Sequence, residues 1–137
     1  MERDFMVPGF LANGMSCGIK EDGRKDLCLI FSKEKAVAAG VFTRNAFKAA
    51  PVLLDMDRIK KGEAQAIVVN SGVANAATGA EGLQDASFVS SVTSHALKLP
   101  DELVYFASTW VIGHRVPVDT IKTPMPQLIS AFRERGL

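Results

Sequence analysis

Three consecutive pieces decide the fold: Ala64-Gln65-Ala66-Ile67-Val68-Val69, which runs into Asn70-Ser71-Gly72; a periodic segment over 81–99; and Leu103-Val104-Tyr105-Phe106-Ala107. The first is a short apolar run closed by residues that stop strands and build turns, and reads as a buried strand. In the second, Leu83, Ala86, Val89, Val92, Ala96 and Leu99 recur at steps of three and four, one helical face, with Pro100 just beyond. Its Ser87, Ser90, Ser91, Thr93 and Ser94 lower helix propensity, so packing has to hold it. The third is again a buried strand, continuing into Ser108-Thr109-Trp110-Val111-Ile112-Gly113. A strand–helix–strand unit predicts an α/β or α+β layered domain, with helices packed on mixed sheets.

Outward from this unit, Leu27-Cys28-Leu29-Ile30-Phe31 is predicted to be a strand, and 36–43 a second one with Gly40 marking a bulge or a close backbone approach. Lys33 and Glu34 lie between them, as in a hairpin. Pro51 is expected to open a short strand at Val52-Leu53-Leu54, with Asp55 capping a brief helix over 56–61 and Gly62 ending it. From Pro117 to Leu137 the chain reads as largely helical, Pro124 and Pro126 fitting a first turn.

The whole chain has 137 residues, 47% of them hydrophobic, with 16 Lys+Arg against 15 Asp+Glu. That length fits a single domain over 1–137 with a real core. A net charge of +1 and no basic stripe argue against a nucleic-acid partner. No apolar run approaches the roughly 18 residues of a membrane span, and the first eight residues lack the apolar core of a secretory signal. Cys17 and Cys28 have no metal or redox spacing and read as reduced, partly buried thiols. A cytoplasmic protein is expected.

Motifs for phosphate, dinucleotide, serine-hydrolase and zinc-protease chemistry are absent. His95 and His114 read as surface or capping residues, and Asp55 and Asp57 as solvated carboxylates. Two loops stand out. One spans 70–79 and combines Asn70, Ser71, Gly72 and Asn75 between a strand and a helix. It suits either close backbone approach to a ligand or a tight turn tied down by its own amides. The other spans 108–113 and ends at Gly113; hydroxyls and consecutive N–H groups at the carboxyl end of a strand suit oxyanion binding or an ordinary Ser/Thr turn.

Taken in order, Gly18-Ile19-Lys20, GRKDL at 23–27, AGVFT at 39–43, KAAPVLL at 48–54, AIVVNSG at 66–72, NAATG at 75–79, GLQDA at 82–86 and ASTWVIG at 107–113 carry a resemblance. The set resembles the amino-terminal part of the glutamate N-acetyltransferase (ornithine acetyltransferase) family of arginine biosynthesis. The resemblance implies an enzyme that moves acetyl from N-acetylornithine to glutamate through an acyl-threonine. It implies no metal or dissociable cofactor, with acetyl-CoA as a co-substrate in some members. It also implies self-cleavage before a threonine that becomes the nucleophile of a second chain. A hydroxyl beside its own α-amine, of pKa near 8, carries a built-in base.

By the same resemblance Thr109 is an oxyanion-hole hydroxyl, and the backbone N–H of position 110 is its companion. The family has glycine where Trp110 stands and usually an amide where Val73 stands. If the site requires a positive φ at 110, the bulky residue is strained by roughly 1–2 kcal/mol. The family's nucleophile-bearing part lies beyond the matched region, so the isolated chain is expected to be inactive without a complementary threonine-bearing chain or an oligomer. The non-enzymatic alternative is an inactive, truncated homologue serving as a ligand-binding or oligomerisation module.

Overall fold

The computed structural model describes residues 7–132. Four strands form one sheet in the order β1-β2-β3-β4: β1 Phe10–Met15, β2 Leu27–Val37, β3 Glu63–Val73 and β4 Val104–Val111. The pairs β1/β2 and β2/β3 are antiparallel and β3/β4 is parallel. That makes the sheet mixed, as the strand–helix–strand reading required. The crossover between β3 and β4 is α1, the helix Gly79–Leu97. An earlier helix, α2, spans Ala50–Arg58, and two short ones, α3 at Val118–Lys122 and α4 at Met125–Ser130, close the described chain.

Alternation along the strands sends Leu27, Leu29, Val68, Val104 and Phe106 to one face, where they are buried with Ala86, Val89, Ile121, Met125 and Leu128 from the helices. The buried stripe of α1 is Gly82, Asp85, Ala86, Val89, Ser90, Thr93 and Ser94. It is rotated from the expected apolar face: Leu83 is exposed, while small hydroxyl residues face inward. Small side chains let the helix approach the sheet, and their hydroxyls are satisfied locally. Ser90 Oγ donates to the Val104 carbonyl (3.0 Å), and Thr93 Oγ1 to that of Val89 (2.8 Å).

Several sequence expectations are corrected. The segment 52–54 is helix, not strand, and Asp55 lies inside α2 rather than capping a helix over 56–61. Pro51 occupies the first turn, where its missing N–H costs nothing and its φ suits a helix. Residues 36–43 form no second strand. Instead β2 runs unbroken to Val37, with a register irregularity between Phe31 and Ala36, and pairs with β3 and not in a hairpin with 38–43. Residues 117–132 hold two short helices in place of one long one, with Pro124 between them; 133–137 lie outside the described residues. The strand β1 had no counterpart in the sequence reading.

The outer edge of β4 is closed by side chains of α2. Asp55 Oδ1 accepts the Phe106 N–H at 3.1 Å, and Arg58 donates to the Val104 carbonyl and to Ser90 Oγ. Asp55 is therefore half-buried, not solvated as expected, and burial pushes its carboxyl up to about 6, against the pull of the Phe106 N–H and Arg58. A pKa raised on folding means the folded state holds the proton more tightly. The associated stability is complete below the ordinary 3.8 and declines as pH rises towards 6. Asp55→Asn keeps an acceptor oxygen without the charge, so thermal melts should show the variant gaining on the parent between pH 4 and pH 7. A melting-temperature difference that stays flat across that range would contradict the assignment.

Candidate functional site

The two loops singled out in the sequence, more than thirty residues apart, lie side by side at the carboxyl ends of β3 and β4. The parallel register pairs Asn70 with Ser108, Ser71 with Thr109, Gly72 with Trp110 and Val73 with Val111. Both strands extend further than their sequences indicated: Asn70-Ser71-Gly72 and Ser108-Thr109-Trp110 continue the ladder instead of turning. Beyond it the Ala74 N–H donates to the Val111 carbonyl (2.8 Å) and the Gly113 N–H to that of Ala76 (2.7 Å).

Within the first loop the amides serve the chain itself. Asn70 is fully buried, accepts from Ser108 Oγ and donates through Nδ2 to the Val73 carbonyl at 2.9 Å. Asn75, also fully buried, donates to the Gly82 carbonyl (2.8 Å) and accepts from Thr78 Oγ1 (2.8 Å). Its backbone carbonyl receives the Ala50 N–H at 3.1 Å, tying the loop to the start of α2. Of the two readings for this loop, the geometry matches the turn tied down by its own amides.

The second loop differs. Thr109 is exposed, and its hydroxyl makes no hydrogen bond to a described residue. Alternation turns its side chain, with that of Ser71, to the sheet face that carries no helix. The Val104 carbonyl and Phe106 N–H face α2, whereas the Val111 carbonyl faces β3. The same alternation directs the N–H of position 110 to the outer edge, beside the Thr109 side chain. A hydroxyl and an N–H on neighbouring residues at the end of a strand are the kinds of donor that an oxyanion takes.

Trp110 has φ +111°, the conformation for which glycine is suited, so the conditional strain of roughly 1–2 kcal/mol applies. Gly72, its register partner, has φ +113°, and a Cβ there would lie 2.6 Å from Ile19 Cγ2. The indole is 61% exposed, with Lys20 Nζ 4.7 Å from the ring centroid.

Sequence reasoning missed the residue that orders this corner. Asp26, only 2% exposed, accepts the Cys17 N–H at 2.7 Å and the Lys20 N–H at 2.8 Å, and its own carbonyl accepts the Ser71 N–H at 2.8 Å. Burial acts to raise its pKa, but these donors outweigh burial and hold it below the ordinary value. The only signal was its place in the GRKDL motif, which names no role. Burial, together with the Asp26 hydrogen bond and charge, pushes the Cys17 thiol up to about 12, and burial raises Cys28 too. Both are free thiols, half-buried as expected. A cleft of about 360 Å³ lined by Gly14, Asp26, Cys28, Val69 and Ser71 opens on the helix-free face next to Ser71. His95 and His114 are exposed, and no group of three metal-ligating side chains occurs among the described residues.

The chain is 49% identical over 113 residues to the arginine biosynthesis bifunctional protein ArgJ of Caldanaerobacter subterraneus subsp. tengcongensis, covering 82% of this chain and 28% of that protein. To the protein of the same name from Syntrophotalea carbinolica it is 44% identical over 131 residues, covering 96% and 33% respectively. The crystal structure of the ArgJ protein from Bacillus halodurans superposes with a TM-score of 0.84 at 39% identity, over 88% of this chain and 63% of that one. That of ornithine acetyltransferase complexed with ornithine from Mycobacterium tuberculosis gives 0.89 at 36% identity, over 93% and 69%. The chain thus spans about a third or less of the length of these curated relatives. A family model for ArgJ matches residues 11–136, and with the fold in agreement the chain belongs to the ArgJ family.

Proposed function

We propose that this chain supplies the oxyanion half of an acetyltransferase site that moves acetyl from N-acetylornithine, or from acetyl-CoA, to glutamate. The nucleophilic threonine comes from a segment or chain outside these 137 residues. In this reading Thr109 Oγ1 and the N–H of Trp110 hold the negative oxygen that develops when the acyl carbon becomes tetrahedral, first as the threonine is acylated and again as glutamate takes the acetyl group. Ser71, Gly72 and Gly113 shape the floor, and Asn70 and Asn75 keep the two loops in register. The likeness to an ornithine-complexed acetyltransferase supports an amino-acid substrate.

The observation that carries the reading is where Thr109 sits. The middle of its sheet face holds Ala12, Cys28, Ile30, Ile67, Val69 and Ala107, none of which joins the core, while the charged pair Lys35 and Glu63 lies at the far end from Thr109. A contiguous apolar stretch of this kind on a sheet face is built to be covered, since faces left to water alternate with polar residues. Thr109 stands at the rim of that face, so whatever covers the face also completes the site. The relatives it resembles carry two-thirds or more additional chain, which is ample for such a layer. No helix among the described residues is long and apolar enough to cross a membrane. Free, protonated thiols fit the cytoplasm as the setting of this reading.

The test is complementation. The 137-residue chain is joined in frame to the part of the Caldanaerobacter relative that it does not span, and transfer from N-acetylornithine to glutamate is assayed. The chain alone should give no turnover and the joined protein should. Turnover by the isolated chain overturns the division of the site. An inert joined protein that folds normally favours the inactive-homologue reading instead.

A further inference from the structure

We infer that Lys20 is a positioning residue for the oxyanion donor at position 110, acting through the Trp110 indole; this rests on the acetyl-transfer reading above. Gly72 and Trp110 are register partners on adjacent parallel strands, and both are bent to φ above +110°. For the glycine the bend is free. For the tryptophan it persists only where the surroundings hold it.

Apolar packing does not supply that hold, because most of the indole is exposed. The contact present is the Lys20 ammonium, 4.7 Å from the ring centroid, and Lys20 makes no ion pair with a described carboxylate. Lys20 is itself fixed. Its N–H is bound by the buried Asp26 carboxylate, and the preceding Ile19 occupies the space that the absent Cβ of Gly72 leaves. A single dipeptide, Ile19-Lys20, thus caps both bends.

The bend matters for the donor. Downstream, the chain is fastened by the Ala74 N–H on the Val111 carbonyl. Against that fixed point, φ at 110 sets the tilt of the 109–110 peptide plane and so the aim of the N–H beside Thr109. Releasing the indole lets position 110 relax towards negative φ and turns the N–H away from the developing oxygen.

Trp110 is the sole tryptophan, so its emission reports the stack directly. In the joined enzyme, Lys20→Met should lower kcat by about tenfold, less than the roughly 10²–10³ of losing a donor outright, with KM unchanged. Acrylamide quenching, read in the 137-residue chain where Trp110 is the sole tryptophan, should rise with the same substitution. Lys20→Arg, which keeps the cation over the ring, should restore both. The effect of Lys20→Met should vanish when position 110 is glycine, which needs no clamp. Turnover indifferent to Lys20→Met in the tryptophan-bearing enzyme, or quenching equal to the parent's, overturns the positioning role and leaves the acetyl-transfer reading standing. No turnover by the joined parent enzyme overturns both.

Discussion

Thr109→Ala in the joined enzyme should reduce kcat by about 10²–10³ while leaving the melting temperature within about a degree or two. The size follows from the physics of the site. A donor aimed at a developing negative charge, in a site closed to water, acts in the transition state far more than in the ground state. The neutrality towards folding follows from the structure. Thr109 is exposed, its hydroxyl has no partner among the described residues, and its backbone, paired opposite Ser71, is unaffected by the change. Thr109→Ser, which preserves the hydroxyl, should retain most of the rate. Turnover equal to the parent's in Thr109→Ala would remove the side chain from the oxyanion site.

Asp26→Asn should have the largest effect on stability, a loss of about 2–4 kcal/mol in urea denaturation. The buried carboxylate accepts two backbone N–H groups, one on each oxygen. An amide offers one oxygen, so one of those donors faces an NH₂ group and is left without a partner. The sign of the pH dependence is fixed by the downward shift. Stability from a carboxyl held below its ordinary pKa is present above that value and is lost as pH falls through the folded one. The gap between parent and variant should therefore narrow in acid. A loss under about 1 kcal/mol at neutral pH would show that the loop over 17–20 does not depend on this carboxylate.

The two experiments probe one corner from opposite sides. Asp26 orders the loop that carries Ile19 and Lys20, that loop rests on Gly72 and Trp110, and Trp110 adjoins Thr109. Damage to Asp26 should lower stability first and turnover second; damage to Thr109 should lower turnover alone.

How much of this was legible in the residues varied with the range of the interaction concerned. The strand–helix–strand unit was read correctly, because apolar runs and steps of three and four are local signals. The inward face of its helix was misjudged. Ser90, Thr93 and Ser94 look polar in sequence, yet they sit against the sheet with their hydroxyls satisfied, which only the neighbouring carbonyls reveal. Val52-Leu53-Leu54 looked like strand on propensity, and Pro51 in a first helical turn outweighed it. Asp55 looked solvated until β4 was placed against it.

The sequence by itself determined the α/β class, the order of its central unit, the family, and the two small-residue segments at its strand ends, because motif order and periodicity are written along the chain. Tertiary structure alone decided that those loops are neighbours, since the parallel pairing of β3 with β4 joins residues 38 positions apart. It likewise decided that Thr109 looks out from the sheet face that carries no helix and that Asp26 is buried with its donors. Pairing, burial and the solvation of a charge are properties of what surrounds a residue, and they exist only once the chain has folded.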